Sequence, residues 1–150
     1  MFLEHFPQEG RIQGWIEVVC GSMFSGKTEE LLRRIKRANF ANQKILLVKP
    51  TVDKRYSEKN VVSHQGTSQQ AVLVNAASEI LEVWKNEKVV AIDEAQFFDD
   101  NILDVCNQLS KSGVRVIVAG LDMDYLGVPF GPMPKLLAIA EYVTKVHAVC

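Results

Sequence analysis

Residues 15–28 read WIEVVCGSMFSGKT, and this stretch decides the fold. The first six residues, WIEVVC, are short, rich in Val and Ile, and lack clean polar alternation. That is the pattern of a strand buried on both faces of a parallel sheet. Gly21-Ser22-Met23-Phe24-Ser25-Gly26-Lys27-Thr28 then completes the spacing G-x-x-x-x-G-K-[ST]. Gly21 and Gly26 permit backbone angles that turn successive N–H groups around an anion. A helix beginning near Lys27 adds its positive end. Lys27 is predicted to reach β/γ-phosphates, and the Thr28 hydroxyl to bind Mg²⁺. Incoming strand, eight-residue pattern and outgoing amphipathic helix together predict a nucleoside triphosphate site.

Three more apolar runs resemble the first: residues 44–48 (KILLV), 88–92 (KVVAI) and 114–119 (VRVIVA). Helical periodicity lies between them. Residues 28–39 place Leu31, Leu32, Ile35 and Ala38 on one face, and residues 78–84 group Ile80, Leu81 and Trp84. Asp99 or Asp100 can cap a helix striped by Ile102, Leu103, Val105, Cys106 and Leu109, which Gly113 ends. Alternating strands and helices predict an α/β fold with a parallel sheet. Residues 50–70 are polar and predict a long loop or hairpin insertion. Residues 120–134 predict another loop, at the carboxyl end of a strand, where α/β proteins build their sites.

The run 89–94, VVAIDE, is a strand ending in two acids. Beside a phosphate-binding loop, Asp93 is expected to hold Mg²⁺. Strand alternation turns Glu94 to the other side, where it can serve as a general base. The base could activate water, as in a motor or switch, or a substrate hydroxyl, as in a kinase. The guanine-reading sequence N-K-x-D is absent, and the chain is short for a motor. The pattern favours a small-substrate kinase, with an ATPase or nucleotide-dependent regulator as the alternative and a non-enzymatic nucleotide binder behind both.

The composition agrees with one domain. The 150 residues carry 17 Lys+Arg against 18 Asp+Glu, a net charge of -1, with 47% hydrophobic residues. Apolar content near half excludes a disordered chain, and near-zero charge argues against a nucleic-acid-wrapping protein. The basic cluster Arg33, Arg34, Lys36, Arg37 is read as a solvated helix face. No run approaches the ~18 apolar residues of a membrane span, and the N-terminus lacks a signal-peptide pattern, so a cytoplasmic protein is expected. Three cysteines, Cys20, Cys106 and Cys150, make a disulfide framework unexpected.

The exact wording of these blocks resembles the type II thymidine kinases, the cytosolic zinc-containing family. GSMFSGKT is similar to that family's phosphate loop. Asp53-Lys54-Arg55-Tyr56, Ser63-His64-Gln65-Gly66 and Asp93-Glu94-Ala95-Gln96-Phe97-Phe98 resemble its D-x-R-Y, S-H-x-G and D-E-[AG]-Q-F-F blocks. Gly120-Leu121-Asp122 followed by Pro129-Phe130-Gly131 resembles its G-L-D…P-F-G loop, and residues 143–150 resemble the strand delivering its first zinc cysteine. The blocks occur in the family's order, from Gly14 onward.

The resemblance implies a P-loop NTPase (RecA-like) α/β fold, a parallel sheet flanked by helices, with residues 1–150 as the nucleotide-binding kinase domain. It implies transfer of the ATP γ-phosphoryl group to the 5′-hydroxyl of thymidine, and usually deoxyuridine. Glu94, Lys27 and Arg55 are the implied catalytic residues. Gly21 to Thr28 with Asp93, Glu94, Ala95 and Gln96 are implied to meet ATP. Met23, Phe97, Leu121, Tyr125 and Phe130 are implied to line the nucleoside pocket, with Phe98 in the core. Thr28 and Asp93 would serve Mg²⁺, and Cys150 would be one ligand of a structural Zn²⁺. A homotetramer and feedback inhibition by dTTP are likewise implied. His64 is expected to have a structural hydrogen-bonding role, and Asp122 and Asp124 to cap their loop.

Family members continue past this cysteine to complete a four-cysteine site and a lasso over the nucleoside. Cys20 and Cys106 fall in a buried strand and a helix stripe, and a structural zinc normally takes four ligands. The zinc/lasso element is therefore expected to be missing from these 150 residues. They are expected to bind Mg-ATP but to phosphorylate thymidine poorly.

Overall fold

The computed structural model describes residues 13–23, 25–51, 60–62 and 68–147. Arg55, His64, Phe24 and Cys150, each given a role above, lie outside the described residues. In chain order the elements are β1 (Trp15–Gly21), α1 (Lys27–Phe40), β2 (Ile45–Pro50), β3 (Asn60–Val62), β4 (Ser68–Gln70), β5 (Val72–Val74) and α2 (Ser78–Val83). They continue with β6 (Val89–Ile92), a 3-10 turn at Ala95–Phe97, α3 (Asn101–Lys111), β7 (Arg115–Leu121), α4 (Met133–Ile139) and β8 (Tyr142–Val146).

Six strands form one sheet in the order β5-β2-β6-β7-β1-β8, and every pairing in it is parallel. The four apolar runs occupy its middle, so both faces of them are covered, which is why they show no alternation. The polar insertion contains the antiparallel pair β3–β4, the hairpin form of the two expected.

Two apolar layers hold the sheet. On one face α1 buries Leu31, Leu32, Ile35 and Ala38 against Val19, Leu47, Ile117 and Ala119. On the other, Ile80 of α2, Ile102, Val105, Cys106 and Leu109 of α3, and Met133 and Leu136 of α4 cover Ile16, Val18, Val90, Ile92 and Val116. Each fully buried aliphatic side chain contributes about 1.5–3 kcal/mol relative to exposure. Phe98 joins this core at 6% exposure.

Several expectations change in detail. Asp99, not Asp100, receives the first N–H of α3: its Oδ1 accepts from Asn101 N–H at 3.0 Å. Gly113 adopts φ 89° just past the helix, as a stop residue does. The loop after β7 is shorter than residues 120–134, because β7 runs to Leu121 and α4 begins at Met133 with proline in its first turn.

The basic face of α1 is not simply solvated. Arg34 is held by Glu30 at 2.7 Å and donates to Thr144 of β8 at 3.0 Å. Buried Glu17 takes Arg115 at 2.7 Å and Trp15 Nε1 at 3.2 Å. A carboxylate inside the sheet at position 17 is tolerated because cations from β7 and α1 surround it.

Candidate active site

All strands of the sheet run the same way, so their carboxyl ends lie along one edge. The loops after β1, β6 and β7 therefore meet there. One strand, β7, separates the glycine-loop strand β1 from the acidic strand β6.

The glycine loop leaves β1 at Gly21. A Cβ there would lie 2.3 Å from the Val146 carbonyl of β8 and 2.6 Å from Ser25 Oγ, so no side chain fits. Ser25 N–H donates to the Ser22 carbonyl at 3.2 Å and tightens the turn. Gly26 stands before α1 at φ 92°, a left-handed angle that frees the first helical N–H groups. Lys27 is buried at 8% exposure and Thr28 half-buried, while Ser22 and Met23 are exposed. The described residues of the predicted phosphate cradle thus form a tight turn feeding a 14-residue helix.

The acidic pair follows β6. Asp93 N–H donates to the Val48 carbonyl of β2 at 2.9 Å, which continues the ladder one residue past the strand. Its Oδ1 accepts from the Glu94 N–H at 2.9 Å. Burial, and then the Glu94 charge beside it, push the Asp93 carboxyl up from 3.8 to about 7; Lys27 and Lys49 pull the other way. The field of Lys27 at Asp93 ties the glycine loop to the acidic strand. The Asp93 carboxylate and the Thr28 hydroxyl are oxygen donors of the kind that suits Mg²⁺, and the Lys27 ammonium is a cation of the kind that suits a polyphosphate.

Glu94 is not aimed by strand alternation. It sits at φ 54°, ψ 41°, left-handed and costly for a non-glycine residue, and the chain turns there into the 3-10 turn. The residue is 8% exposed, and its Oε2 accepts from Gln96 Nε2 at 2.6 Å. Gln96, grouped above with residues meeting ATP, is instead 2% exposed with both ends of its amide bonded inside the protein. Ala95 is fully buried.

Of the residues expected to line a nucleoside pocket, Phe97 and Phe130 stand together, ring centroids 5.6 Å apart at 85°. Edge-to-face contact leaves one ring face presented. Leu121 lies at the end of β7, 8% exposed, and Met23 stands 42% exposed on the glycine loop. The structure does not bring Tyr125 to this group. It is 93% exposed at the tip of a turn tied by Asp124, whose Oδ1 accepts from Leu126 and Val128 N–H. Asp124 is thus the loop cap. Asp122 is not: it is buried and ion-paired with Lys145 of β8 at 2.8 Å.

Sequence reasoning missed Lys49, 3% exposed at the end of β2 and felt by Asp93. Its signal was a lysine inside an apolar strand run, ILLVKP. Cys20 and Cys106 are free, buried thiols. Burial raises both, Cys106 to about 12, and the Asp122 charge adds to the rise at Cys20. Among the described residues no three His, Cys, Asp or Glu side chains group as metal ligands. Nor is any helix there long and apolar enough to cross a membrane.

Comparison with known proteins bears on the fold and the family. The chain resembles the Pif1 helicase from Candida albicans in fold, with a TM-score of 0.52 at 13% identity over 91% of this chain and 37% of that one. It is 59% identical to a thymidine kinase of Bacteroides fragilis (strain YCH46) and 57% identical to one of Bacteroides thetaiotaomicron. In each case all of this chain aligns with 75% of the relative. A thymidine kinase of Rhodothermus sp. is 55% identical over 95% of this chain and 67% of its own length. The family model for thymidine kinase matches residues 14–150, and the chain belongs to that family.

Proposed function

We propose that residues 1–150 form the nucleotide-binding domain of a thymidine kinase, which transfers the γ-phosphoryl group of ATP to the 5′-hydroxyl of thymidine, and of deoxyuridine, in pyrimidine salvage. One observation carries the reading. The glycine loop with Lys27, the buried pair Asp93–Glu94 and the Phe97–Phe130 rings converge at one edge of the sheet. A phosphate site, a carboxylate and a flat apolar wall are the three parts such a transfer needs.

ATP lays its phosphates over the N–H groups of residues 21–28, where Lys27 steadies the transferring group. Thr28 and Asp93 would hold Mg²⁺, which neutralises phosphate charge when bound. The pyrimidine lies against Phe97 and Phe130, with Leu121 and Met23 beside them. Glu94 accepts the proton of the 5′-hydroxyl as its oxygen bonds to the γ-phosphorus. The bond from that phosphorus to the β–γ bridging oxygen breaks, and ADP leaves with the electron pair. Arg55 is assigned by resemblance to the phosphates, where a guanidinium stabilises spread charge.

A structural Zn²⁺ with Cys150 as one ligand, a homotetramer, dTTP inhibition and a cytoplasmic location are expectations of the family resemblance. Cys20 and Cys106 do not fit the zinc, because both are buried in the core.

The test replaces Glu94 with Gln in the intact protein. Losing a general base lowers turnover by about 10²–10⁴. Thymidine-dependent ADP production should fall by that factor while ATP affinity stays unchanged. ATP hydrolysis indifferent to every nucleoside offered would refute the kinase reading.

A further inference from the structure

We propose that Gln96 is a positioning residue, fixing the direction of the Glu94 carboxylate through a bridge to the end of β7; this rests on the reading of Glu94 as the base. The side-chain amide spans two elements. Oε1 accepts the Leu121 N–H at 3.0 Å, and Nε2 donates to Glu94 Oε2 at 2.6 Å. Its orientation has one chemical solution. A backbone N–H can only donate, so Oε1 must face Leu121, and Nε2 must then face the carboxylate.

The surroundings hold that solution in place. Gln96 lies in the 3-10 turn, where Phe97 N–H donates to the Glu94 carbonyl at 3.2 Å and Phe98 N–H to the Ala95 carbonyl at 3.1 Å. Two glycines close around it. A Cβ on Gly120 would stand 3.0 Å from Oε1, and a Cβ on Gly131 would stand 2.4 Å from the Gln96 carbonyl oxygen. The bare Gly120 on β7 leaves room for the amide, and the bare Gly131 on the loop after it leaves room for the backbone of the same residue.

A carboxylate side chain alone has several rotatable bonds, and a general base works only when aimed at its proton. Glu94 begins from a left-handed backbone, and a donor only two residues on captures one of its oxygens. The same amide grips Leu121, a wall of the proposed nucleoside pocket. Gln96 therefore sets the distance between base and substrate as one unit. Gln96 itself is 2% exposed, with both ends of its amide bonded inside the protein.

The experiment measures kcat and both KM values for Gln96→Met, Glu94→Gln and the double variant, in the intact protein. Gln96→Met should lower kcat by about 10–100-fold, the scale of misplacing a catalytic group, with the KM for ATP unchanged. In the Glu94→Gln background the same change should cost nothing further, because Gln96 acts only through Glu94. Wild-type kcat in Gln96→Met, or losses that multiply in the double variant, would overturn the proposal. Undiminished kcat in Glu94→Gln would instead remove the base reading itself. If Gln96→Met does not fold, Gln96→Glu replaces it, keeping the acceptor for Leu121; a wild-type kcat there would reduce Gln96 to an anchor and overturn the proposal.

Discussion

Asp93→Asn should make the nucleotide-free protein more stable at alkaline pH while impairing its metal site. Asparagine keeps the oxygen that accepts from the Glu94 N–H and removes only the charge. Burial first, then the Glu94 carboxylate, raise Asp93 from 3.8 to about 7, opposed by the Glu94 N–H, Lys27 and Lys49. An acid raised in this way binds its proton more tightly folded than unfolded. Its contribution to stability is full below about pH 4 and is lost as pH rises through about 7. At about 1.4 kcal/mol per pH unit, the ionised group costs the folded state at most about 4 kcal/mol at pH 8. Water entry and movement of the two lysines reduce this to about 2–4 kcal/mol. For a domain of this size, the melting temperature of Asp93→Asn should rise by about 5–10 °C at pH 8. At pH 5 the gain should be less than half as large. Scanning calorimetry at both pH values, without nucleotide or metal, measures it. A gain independent of pH, or a loss at pH 8, would refute the argument that Asp93 is held uncomfortably for a cation. Mg-ATP should then stabilise the parent protein more than the variant.

Other outcomes follow from single contacts. Gly131→Ala meets a left-handed φ of 53° and the Gln96 carbonyl at 2.4 Å; it should cost about 2–4 kcal/mol by urea midpoint. Gly127→Ala has φ 77° but open space around it, so it should cost only about 1 kcal/mol. Cys20 and Cys106 should resist a thiol reagent in the native protein and react together once urea unfolds it, because both thiols are buried and raised.

What the sequence announced was whatever periodicity or a dense motif could encode. The runs at 15–20, 44–48, 88–92 and 114–119 became the four inner strands because strands covered on both faces need uninterrupted apolar side chains. Of the sheet-edge strands, β5 escaped the reading, and β8 entered it only through the family resemblance of residues 143–150. β8 alternates half-buried and exposed residues and carries Thr144 and Lys145, which serve Arg34 and Asp122. α4 was hidden behind Pro132 and Pro134, which read as loop although proline is welcome in a first helical turn.

In the candidate site, Lys27, Asp93 and Glu94 were legible because their spacing is the chemistry. Glu94's direction was not, since it depends on one left-handed backbone angle and on an amide reaching across from residue 96. Lys49 showed locally only as a lysine in an apolar run, and the Asp122–Lys145 pair is a long-range electrostatic arrangement with no local spacing to betray it.

The seat of β8 on Gly21 affects how a saturation mutagenesis map of the glycine loop should be read. Every replacement of Gly21 drives a side chain into the Val146 carbonyl, so intolerance there would report the sheet edge as much as the phosphates. Gly26 is different. Its Cβ would meet nothing nearer than a Glu29 carboxylate oxygen at 3.9 Å, and only its φ of 92° restricts it. Asparagine, which accepts left-handed angles and carries no charge toward the phosphates, should rank as its mildest replacement. Selection at position 26 therefore reports loop conformation and ligand binding without the sheet edge, while selection at position 21 mixes both with strand assembly.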